Sequence, residues 1–208
     1  GYKQEKIIEY FIDYSAMDQE IDINIKNSNT LAFENKITGL EDVKVTLVNT
    51  GLDTNTAGRI LKIKNQISSG ETFMLTYGDG LSNVNINKLV NFHNSHKGLV
   101  TFSATKTKSR FAVVETDENS CVTMFDEKAE LENRINCGFM VCDWKVFDYI
   151  NNKEESFEKT TLKNIASEKN LYAYNHNGYF QPMDTYREAK ELNQLWSDGK
   201  APWKVWDE

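Results

Sequence analysis

Asp79 has the sequence context of a carboxylate that faces a bound ligand. It lies between Gly78 and Gly80 at the end of an apolar stretch, in the string LTYGDG. Glycines let the backbone approach a ligand closely, and ligands of α/β proteins bind beyond the carboxyl ends of the strands. The alternative is a tight turn, in which the glycines supply the dihedral angles and the aspartate supplies hydrogen bonds.

Asp184 is a second candidate carboxylate, in the string FQPMDT between a predicted strand and a predicted helix. The alternative for this residue is a simple helix N-cap. If the two carboxylates converge to ~4 Å, they repel by about 4 kcal/mol at an effective dielectric constant of ~20. A divalent cation offsets this repulsion, and Mg²⁺ is typically held by one or two carboxylates together with substrate phosphates. A pair that converges in this way predicts a Mg²⁺ site.

Two further segments carry cations that could meet an anionic substrate. Lys128 follows Glu127 directly after a predicted strand, and a lysine there can neutralise a phosphate as a point charge. The alternative is an exposed charged pair. Thr54 and Arg59 lie in TGLDTNTAGR, which is either a ligand-binding segment or only a flexible polar loop.

The histidines and cysteines favour structural roles. His93 and His96 are three residues apart on a predicted helix, where they could ligate a metal, but packing is the favoured interpretation. Cys137 has no histidine near it in sequence, so a core position is expected. The three cysteines have no C-x-x-C spacing, and they predict neither a disulfide framework nor a zinc site.

Composition excludes several classes of partner. The chain has 208 residues, 39% of them hydrophobic, with 24 basic and 31 acidic residues and a formal charge of −7. The charges are interspersed and leave no basic face, which disfavours nucleic acid as a partner. An anionic substrate must then be held by a few placed cations or a metal. No apolar run reaches the ~18 residues of a membrane span, and no signal-peptide pattern opens the chain, so we expect a cytoplasmic protein without a membrane partner.

The elements that must position these residues follow from hydrophobic periodicity. A short amphipathic helix is predicted within residues 1–14. Apolar spacing predicts a helix over 83–98, with Ile86, Leu89, Val90 and His93 inward and Gly98 as its cap. Further helices are predicted at 59–67, 145–150, 156–169 and 185–199, the last ending at Gly199.

The predicted strands alternate with these helices. Strands are expected at 21–25 and 43–48 around a polar loop, and at 71–80, 99–105, 136–141 and 171–176. Residues 110–125 predict a hairpin that turns at Asp117 to Ser120. The strand, helix and strand over 71–105 make a βαβ unit with a right-handed crossover. We therefore expect one α/β domain over residues 1–208 with a mixed, mainly parallel sheet.

In their order along the chain, these motifs resemble the glucose-1-phosphate cytidylyltransferases, a group within the sugar-1-phosphate nucleotidyltransferase family. The resemblance runs from Gly1 to Trp206, and FQPMDTYRE and the ending GKAPWKVW are its most specific parts. It is carried by the strings VTLVNTG (45–51), AGR (57–59), LTYGDG (75–80), FHNSHKG (92–98), RF (110–111), EK (127–128), INCGF (135–139), FQPMDTYRE (180–188), LW (195–196) and GKAPWKVW (199–206).

The resemblance implies a Rossmann-like nucleotidyltransferase fold and the reaction of CTP with glucose 1-phosphate to give CDP-glucose and pyrophosphate. It also implies further copies of the chain as partners in a homo-oligomer. Its site residues follow by position. Asp79 and Asp184 would hold Mg²⁺; Thr54, Arg59 and Gly78 would contact the nucleotide; and Lys128, with Glu127, Asn136 and Gly138, would receive the sugar phosphate.

The chain departs from the family pattern at several positions. Cys137 stands where the family has a glycine and adds bulk beside the expected sugar site, while Ala129 stands where it has a proline. Lys108-Ser109 replaces Pro-Gly. The glycine-rich phosphate loop that opens the family is not found, so we expect the N-terminal strands to be missing, at least one βαβ unit of roughly 30 residues. Residues 1–208 alone are then not expected to catalyse the reaction.

Two other functions are also compatible with the sequence. The chain could act on a sugar 1-phosphate other than glucose 1-phosphate. It could also be a catalytically inactive protein that binds a nucleotide or a sugar phosphate, because it lacks the glycine-rich loop.

Overall fold

The computed structural model describes residues 1–16, 30–33, 44–109, 111–127 and 129–206. Contacts divide the chain into two units. The first unit comprises Gly1–Ser68 and Phe147–Lys163, and the second comprises Ser69–Val146 and Asn164–Glu208.

Helices and strands alternate along the described residues. The α-helices are α1 (Gln4–Ala16), α2 (Thr56–Lys62), α3 (Ile86–Asn94), α4 (Leu162–Ser167) and α5 (Tyr186–Ser197). Lys64–Gln66 and Trp144–Tyr149 are 3₁₀ helices, and Phe157–Thr161 is a π-helical turn. The strands are β1 (Thr30–Phe33), β2 (Val45–Val48), β3 (Phe73–Leu75), β4 (Gly80–Ser82), β5 (Val100–Lys108), β6 (Val113–Thr116), β7 (Val122–Asp126), β8 (Glu130–Cys142), β9 (Leu171–Asn175) and β10 (Phe180–Pro182).

In the first unit, β2 pairs antiparallel with β1. The strand predicted at 21–25 lies outside the described residues, and the observed partner, Thr30–Phe33, is a stretch that was predicted as loop. The sequence of this strand, TLAF, does not alternate between polar and apolar residues, so a period of two does not mark it. The second strand of the predicted pair is confirmed over Val45–Val48.

Helix α2 begins earlier than predicted, at Thr56 rather than at residue 59. The side chain of Asn55 caps it by accepting a hydrogen bond from the Thr56 N–H at 2.8 Å. The helix is tied to the other segment of the first unit. The Asn55 N–H donates to the carbonyl of Lys153 at 3.0 Å, and the Phe157 N–H donates to Thr56 Oγ1 at 2.8 Å. Phe157 is fully buried there.

The second unit contains a four-stranded sheet in the order β3-β8-β5-β9. Strands β3 and β5 each pair antiparallel with β8, while β5 pairs parallel with β9. Three of the four strands therefore run in one direction, while two of the three strand pairs are antiparallel, which confirms a mixed sheet. The strands of the predicted βαβ unit, β3 and β5, are not neighbours, because β8 lies between them.

Helix α3 is shorter than predicted. It starts after Asn85, whose side chain accepts from the Lys88 N–H at 2.9 Å, and it ends at Asn94. Leu89 and His93 are buried as predicted, but Ile86 is 38% exposed, so its inward assignment was wrong. Gly98 is not the helix cap either, since it lies beyond the C-cap and its Cα faces the Tyr172 ring.

The hairpin of β6 and β7 is confirmed, with its turn at the predicted place. The Asp117 carboxylate accepts hydrogen bonds from the N–H groups of Asn119 and Cys121, both at 2.9 Å. Helix α5 also ends as predicted, because Gly199 adopts φ +68° and the Lys200 N–H donates to the carbonyl of Leu195 at 2.9 Å. Among the described residues, no helix has both the length and the apolar character to cross a membrane.

Candidate active site

The two candidate carboxylates belong to neighbouring segments of the second unit. Strand β4 starts directly after Asp79 and pairs antiparallel with β10, so that Gly80 lies opposite Pro182. The ladder continues by one bond, in which the Met183 N–H donates to the carbonyl oxygen of Asp79 at 2.7 Å. Asp184 is the next residue. The structure therefore brings the segments of Asp79 and Asp184 together.

The turn that carries Asp79 is packed on both sides. The ring of Tyr77 lies against Gly138, where a Cβ would come within 2.5 Å of a ring carbon. Gly138 adopts φ +80°, a conformation that favours glycine. Its N–H donates to Asn136 Oδ1 at 2.8 Å. On the other side, the Phe180 ring packs against Gly80. Asn136 and Gly138, predicted at the sugar-phosphate site, thus lie against the Asp79 segment.

Gly138 belongs to an irregularity in β8. Phe102 pairs with Met140 and Ala104 pairs with Asn136, so residues 137–139 of β8 lie opposite Ser103 alone. Bulges of this kind re-aim side chains next to active sites. Cys137 in this bulge is 3% exposed, and burial raises the pKa of its thiol to about 11. The expected core position of Cys137 is confirmed, and its added bulk lies in the core.

Packing requires a glycine at position 138 but not at position 78. The φ of Gly78 lies outside the left-handed region, and no heavy atom lies within 4 Å of the place where a Cβ would be. The fold of the described residues therefore accepts a side chain at this position. Space beside the Asp79 turn is open to a ligand.

Thr185, and not Asp184, is the N-cap of α5. Thr185 Oγ1 accepts from the Glu188 N–H at 3.2 Å, and the Glu188 carboxylate accepts from the Thr185 N–H at 2.8 Å. The N-cap alternative for Asp184 was therefore wrong. The string Thr185-Tyr-Arg-Glu188 is a capping-box pattern, so this assignment was readable from the sequence.

Glu127, one of the predicted sugar-phosphate residues, directly follows β7. Glu127 is exposed, and Lys128 lies outside the described residues. Ala129, the next residue, accepts a hydrogen bond from the Ser109 N–H at 2.8 Å. The chain around Ala129 is thereby fixed to the end of β5.

Beside these segments lies an open cavity of about 710 Å³, which we call the α5 groove. Its wall on the helix side consists of Arg187, Glu188 and Glu191, and its other walls are Phe180–Pro182 with Thr185, Ile135 of β8, and residues 107–109. Sequence reasoning missed the groove because its walls come from four separate segments.

In the first unit, two cations hold the polar loop that contains Thr54. The Arg59 guanidinium donates to Thr50 Oγ1 at 2.6 Å and to the carbonyl of Gly51 at 3.2 Å. Lys62, which sequence reasoning missed, donates to the carbonyl of Thr50 at 2.6 Å and to the buried Thr54 Oγ1 at 3.5 Å. These hydrogen bonds tie the polar loop to α2.

Arg59 also lines a cavity of about 700 Å³ within the first unit. The polar part of the wall includes Asn49 and Thr50, and the apolar part includes Ile7, Ile8 and Val48. A cavity of this size and mixed lining suits a small-molecule ligand.

His93 and His96 pack, as the favoured interpretation predicted, and both also form hydrogen bonds. The Gly98 N–H donates to His96 Nδ1 at 3.0 Å, so the neutral ring donates through Nε2 to Thr101 Oγ1, at 2.9 Å. The Thr101 hydroxyl in turn donates to His93 Nδ1 at 2.8 Å. Burial is the largest cause that lowers the pKa of both imidazoles.

Asp79 and Asp184 are the carboxylates at which the sequence predicts a magnesium ion completed by substrate. Within the described part of the chain, no cluster of three or more His, Cys, Asp or Glu side chains is arranged to hold a metal. Two carboxylates on adjoining segments are nevertheless the usual protein contribution to a Mg²⁺ site, because the phosphates of the substrate supply the remaining oxygens.

Comparison with known proteins gives one consistent group of relatives. The family model described as Nucleotidyl transferase matches residues 2–203. A probable glucose-1-phosphate cytidylyltransferase of Bacillus subtilis (strain 168) is 38% identical over 99% of this chain and 79% of its own length. The glucose-1-phosphate cytidylyltransferase of Salmonella typhi is 34% identical over 100% of this chain and 79% of its own length.

A solved structure shares the fold. The crystal structure of HddC from Yersinia pseudotuberculosis superposes with a TM-score of 0.56 at 17% identity, over 94% of this chain and 75% of that one.

Proposed function

Because the chain belongs to the nucleotidyl transferase family, we propose that it transfers a cytidylyl group from CTP to glucose 1-phosphate. The products are CDP-glucose and pyrophosphate. That the protein is a sugar-1-phosphate nucleotidyltransferase rests on the family match and on its relatives. The choice of CTP and glucose 1-phosphate is supported by what those relatives are named for. The observation that carries the chemistry is the bond from Met183 to Asp79, which places the two aspartate segments side by side.

Asp79 and Asp184 are the proposed holders of Mg²⁺. Bound there, the ion would neutralise the charge of the triphosphate and of the two carboxylates. The β4–β10 ladder positions the two backbone segments before any ligand binds, so little reorganisation is needed when the cation arrives. Gly78, with open space beside it, lets the nucleotide approach the same turn.

The reaction needs no covalent enzyme intermediate. An oxygen of the sugar phosphate forms a bond to the α-phosphorus of CTP. The bond from that phosphorus to the oxygen bridging to the β-phosphate breaks, and the electron pair leaves with pyrophosphate. The protein contributes positioning and charge neutralisation. Thr54 and Arg59 are the proposed nucleotide contacts in the first unit.

The sugar phosphate is the proposed ligand of Lys128, with Glu127, Asn136 and Gly138. Lys128 supplies the positive charge that balances the acceptor phosphate. Asn136 and Gly138 act beside the Asp79 turn, since the Tyr77 ring packs on Gly138. We also propose that the protein acts in the cytoplasm and as a homo-oligomer.

A substrate matrix tests this function. The protein, expressed from its natural reading frame, is incubated with Mg²⁺, each of CTP, UTP, dTTP and GTP, and either glucose 1-phosphate or mannose 1-phosphate. Mass spectrometry of the nucleotide sugar identifies the product. We expect CDP-glucose to form fastest. A faster reaction with another nucleotide or sugar would overturn the choice of substrates, and binding without turnover would leave a binding protein.

A further inference from the structure

We propose that His176 is a positioning residue, which fixes strand β10 on strand β4 and thereby sets where Asp184 lies relative to Asp79. The effect on catalysis rests on the proposed function, because it requires the two carboxylates to act together. The hydrogen bonds that carry the inference all lie within the second unit, and His176 is 7% exposed.

The ladder between β4 and β10 is too short to hold itself in place. It pairs three residues of each strand, and an isolated pair of strands is at best marginally stable in water. One further bond extends it at each end. The Met183 N–H donates to the carbonyl of Asp79 at 2.7 Å, and the Asn83 N–H donates to the carbonyl of Tyr179 at 3.2 Å. Whatever holds the end at Tyr179 therefore also bears on the position of Asp184.

The ring of His176 fastens the end at Tyr179. Its Nε2 atom lies 3.1 Å from the carbonyl oxygen of Tyr179 and 3.2 Å from Ser82 Oγ. Because a carbonyl only accepts hydrogen bonds, Nε2 carries the proton and donates it. Ser82 Oγ donates to the same carbonyl at 2.7 Å. The Tyr179 carbonyl is thus held by β4 and by His176 together.

The backbone of His176 is bound to the four-stranded sheet. Its N–H donates to the carbonyl of Ala104 in β5 at 2.8 Å, and its carbonyl accepts from the Arg134 guanidinium of β8 at 3.2 Å. Arg134 also donates to the carbonyl of Ala104, at 3.2 Å. His176 therefore joins two sheets, because its main chain is bound to the four-stranded sheet and its side chain to the β4–β10 ladder.

Close packing at Gly178 fixes the ring of His176 in this place. A Cβ at Gly178 would collide with Asn83 Oδ1 and would lie 2.6 Å from His176 Cε1. Asn83 Oδ1 in turn accepts from the Tyr179 N–H at 2.7 Å. Both the N–H and the carbonyl of Tyr179 are therefore bonded, and the ring has little freedom to move.

Amide hydrogen exchange tests the structural part of the proposal without turnover. In the protein expressed from its natural reading frame, His176→Leu removes the donor, and NMR follows the exchange of the Met183 and Tyr179 amides. We expect both amides to exchange roughly 2- to 10-fold faster, which corresponds to one lost hydrogen bond. His176→Gln keeps an N–H donor and should exchange at close to the wild-type rate.

His96→Leu is the matched control. It makes the same substitution at another histidine of the second unit and removes the hydrogen bond to Thr101, which is not part of the β4–β10 ladder. It should leave the exchange of the Met183 and Tyr179 amides unchanged.

The Mg²⁺ concentration that gives half-maximal turnover is the second readout. A variant that only loses stability lowers the amount of active enzyme and leaves this concentration unchanged. If His176 positions Asp184, then His176→Leu should raise it roughly 2- to 10-fold at saturating CTP and glucose 1-phosphate. His176→Gln should restore it, and the control should match the wild type.

Ser82→Ala removes the second donor to the Tyr179 carbonyl and should shift both readouts in the same direction. It decides the question if His176→Leu does not fold. Exchange rates or a Mg²⁺ requirement equal to those of the control would overturn the positioning role and leave the proposed function standing. A wild type without transferase activity would overturn the proposed function, while the exchange rates would still decide whether His176 fixes the ladder.

Discussion

At the residue scale, two glycines beside the same aspartate turn have opposite reasons for being glycine. Gly138 adopts φ +80° and lies under the Tyr77 ring, so the fold requires it. Gly78 adopts no left-handed conformation and faces open space. The sequence shows both as glycine and cannot separate the two cases, because the difference lies in neighbours that are distant along the chain.

We predict that Gly78→Ala keeps or slightly raises stability but lowers activity. A Gly→Ala change at a compatible site stabilises by about 0.4–1 kcal/mol through the unfolded chain. The added methyl would occupy space that the nucleotide is proposed to use, so the KM for CTP should rise. Thermal unfolding and steady-state kinetics measure the two effects.

Gly138→Ala is the matched comparison for this prediction. It should destabilise the protein, because a left-handed residue with a Cβ costs about 1–2 kcal/mol even before the contact with Tyr77. If Gly78→Ala left the kinetics with CTP unchanged, Gly78 would be a turn residue only.

At the element scale, α5 separates a structural residue from a candidate catalytic one. Thr185 and Glu188 form the capping box, and Asp184 stands one residue outside the helix. Adjacent residues in one motif therefore have different predicted effects on stability and on turnover.

We expect Thr185→Ala to lower the free energy of unfolding by about 1 kcal/mol, the usual cost of a lost N-cap. Thr185→Ser, which keeps the hydroxyl, is the control and should stay close to the wild type. Asp184→Asn should abolish turnover with a much smaller change in stability. Chemical denaturation measures the free energy of unfolding of each variant, and the rate of pyrophosphate release measures its turnover. An Asp184 variant that lost stability like Thr185→Ala and kept its turnover would reverse the assignment.

The long periodic elements could be predicted from sequence, and the short ones could not. Helix α1, strand β9 and the β6–β7 hairpin follow from spacing and turn residues. Strand β10 has three residues, Phe180–Pro182, which is too few for a period to register. Strand β8 lies between β3 and β5 in the sheet. This strand order cannot be predicted from local sequence patterns, which indicate only where each strand lies along the chain.

At the scale of the whole molecule, the linked histidines make stability depend on pH. Burial lowers the pKa of both His93 and His96, whereas in the unfolded chain a histidine titrates near about 6.5. The unfolded state then binds more protons than the folded state below that pH. Stability is therefore fully present above about pH 6.5 and falls as the pH drops through the lowered values.

We predict that the free energy of unfolding decreases as the pH falls below about 6.5, by at most about 1.4 kcal/mol per pH unit for each histidine. His96→Gln removes one of the two titrations and should make this dependence shallower. Urea unfolding at a series of pH values measures the slope. An identical slope in the wild type and the variant would show that His96 does not contribute.

The sequence was enough to predict the candidate catalytic residues of the site, but not the cavity beside them. Asp79 and Asp184 were predicted as a pair, and the structure places their segments side by side. The α5 groove and Lys62 were not predicted, because both depend on which side chains the tertiary fold places together.

We propose that Asp79 and Asp184 act as one unit in nucleotidyl transfer. The most direct test of this claim is pyrophosphate release at saturating Mg²⁺, CTP and glucose 1-phosphate by Asp79→Asn, Asp184→Asn and the double variant. Asp198→Asn, at the far end of α5, is the control. We predict that each single variant loses at least roughly 100-fold in kcat, that the double variant is no worse than the poorer single one, and that the control is unaffected. Near-normal turnover in either single variant would contradict the claim.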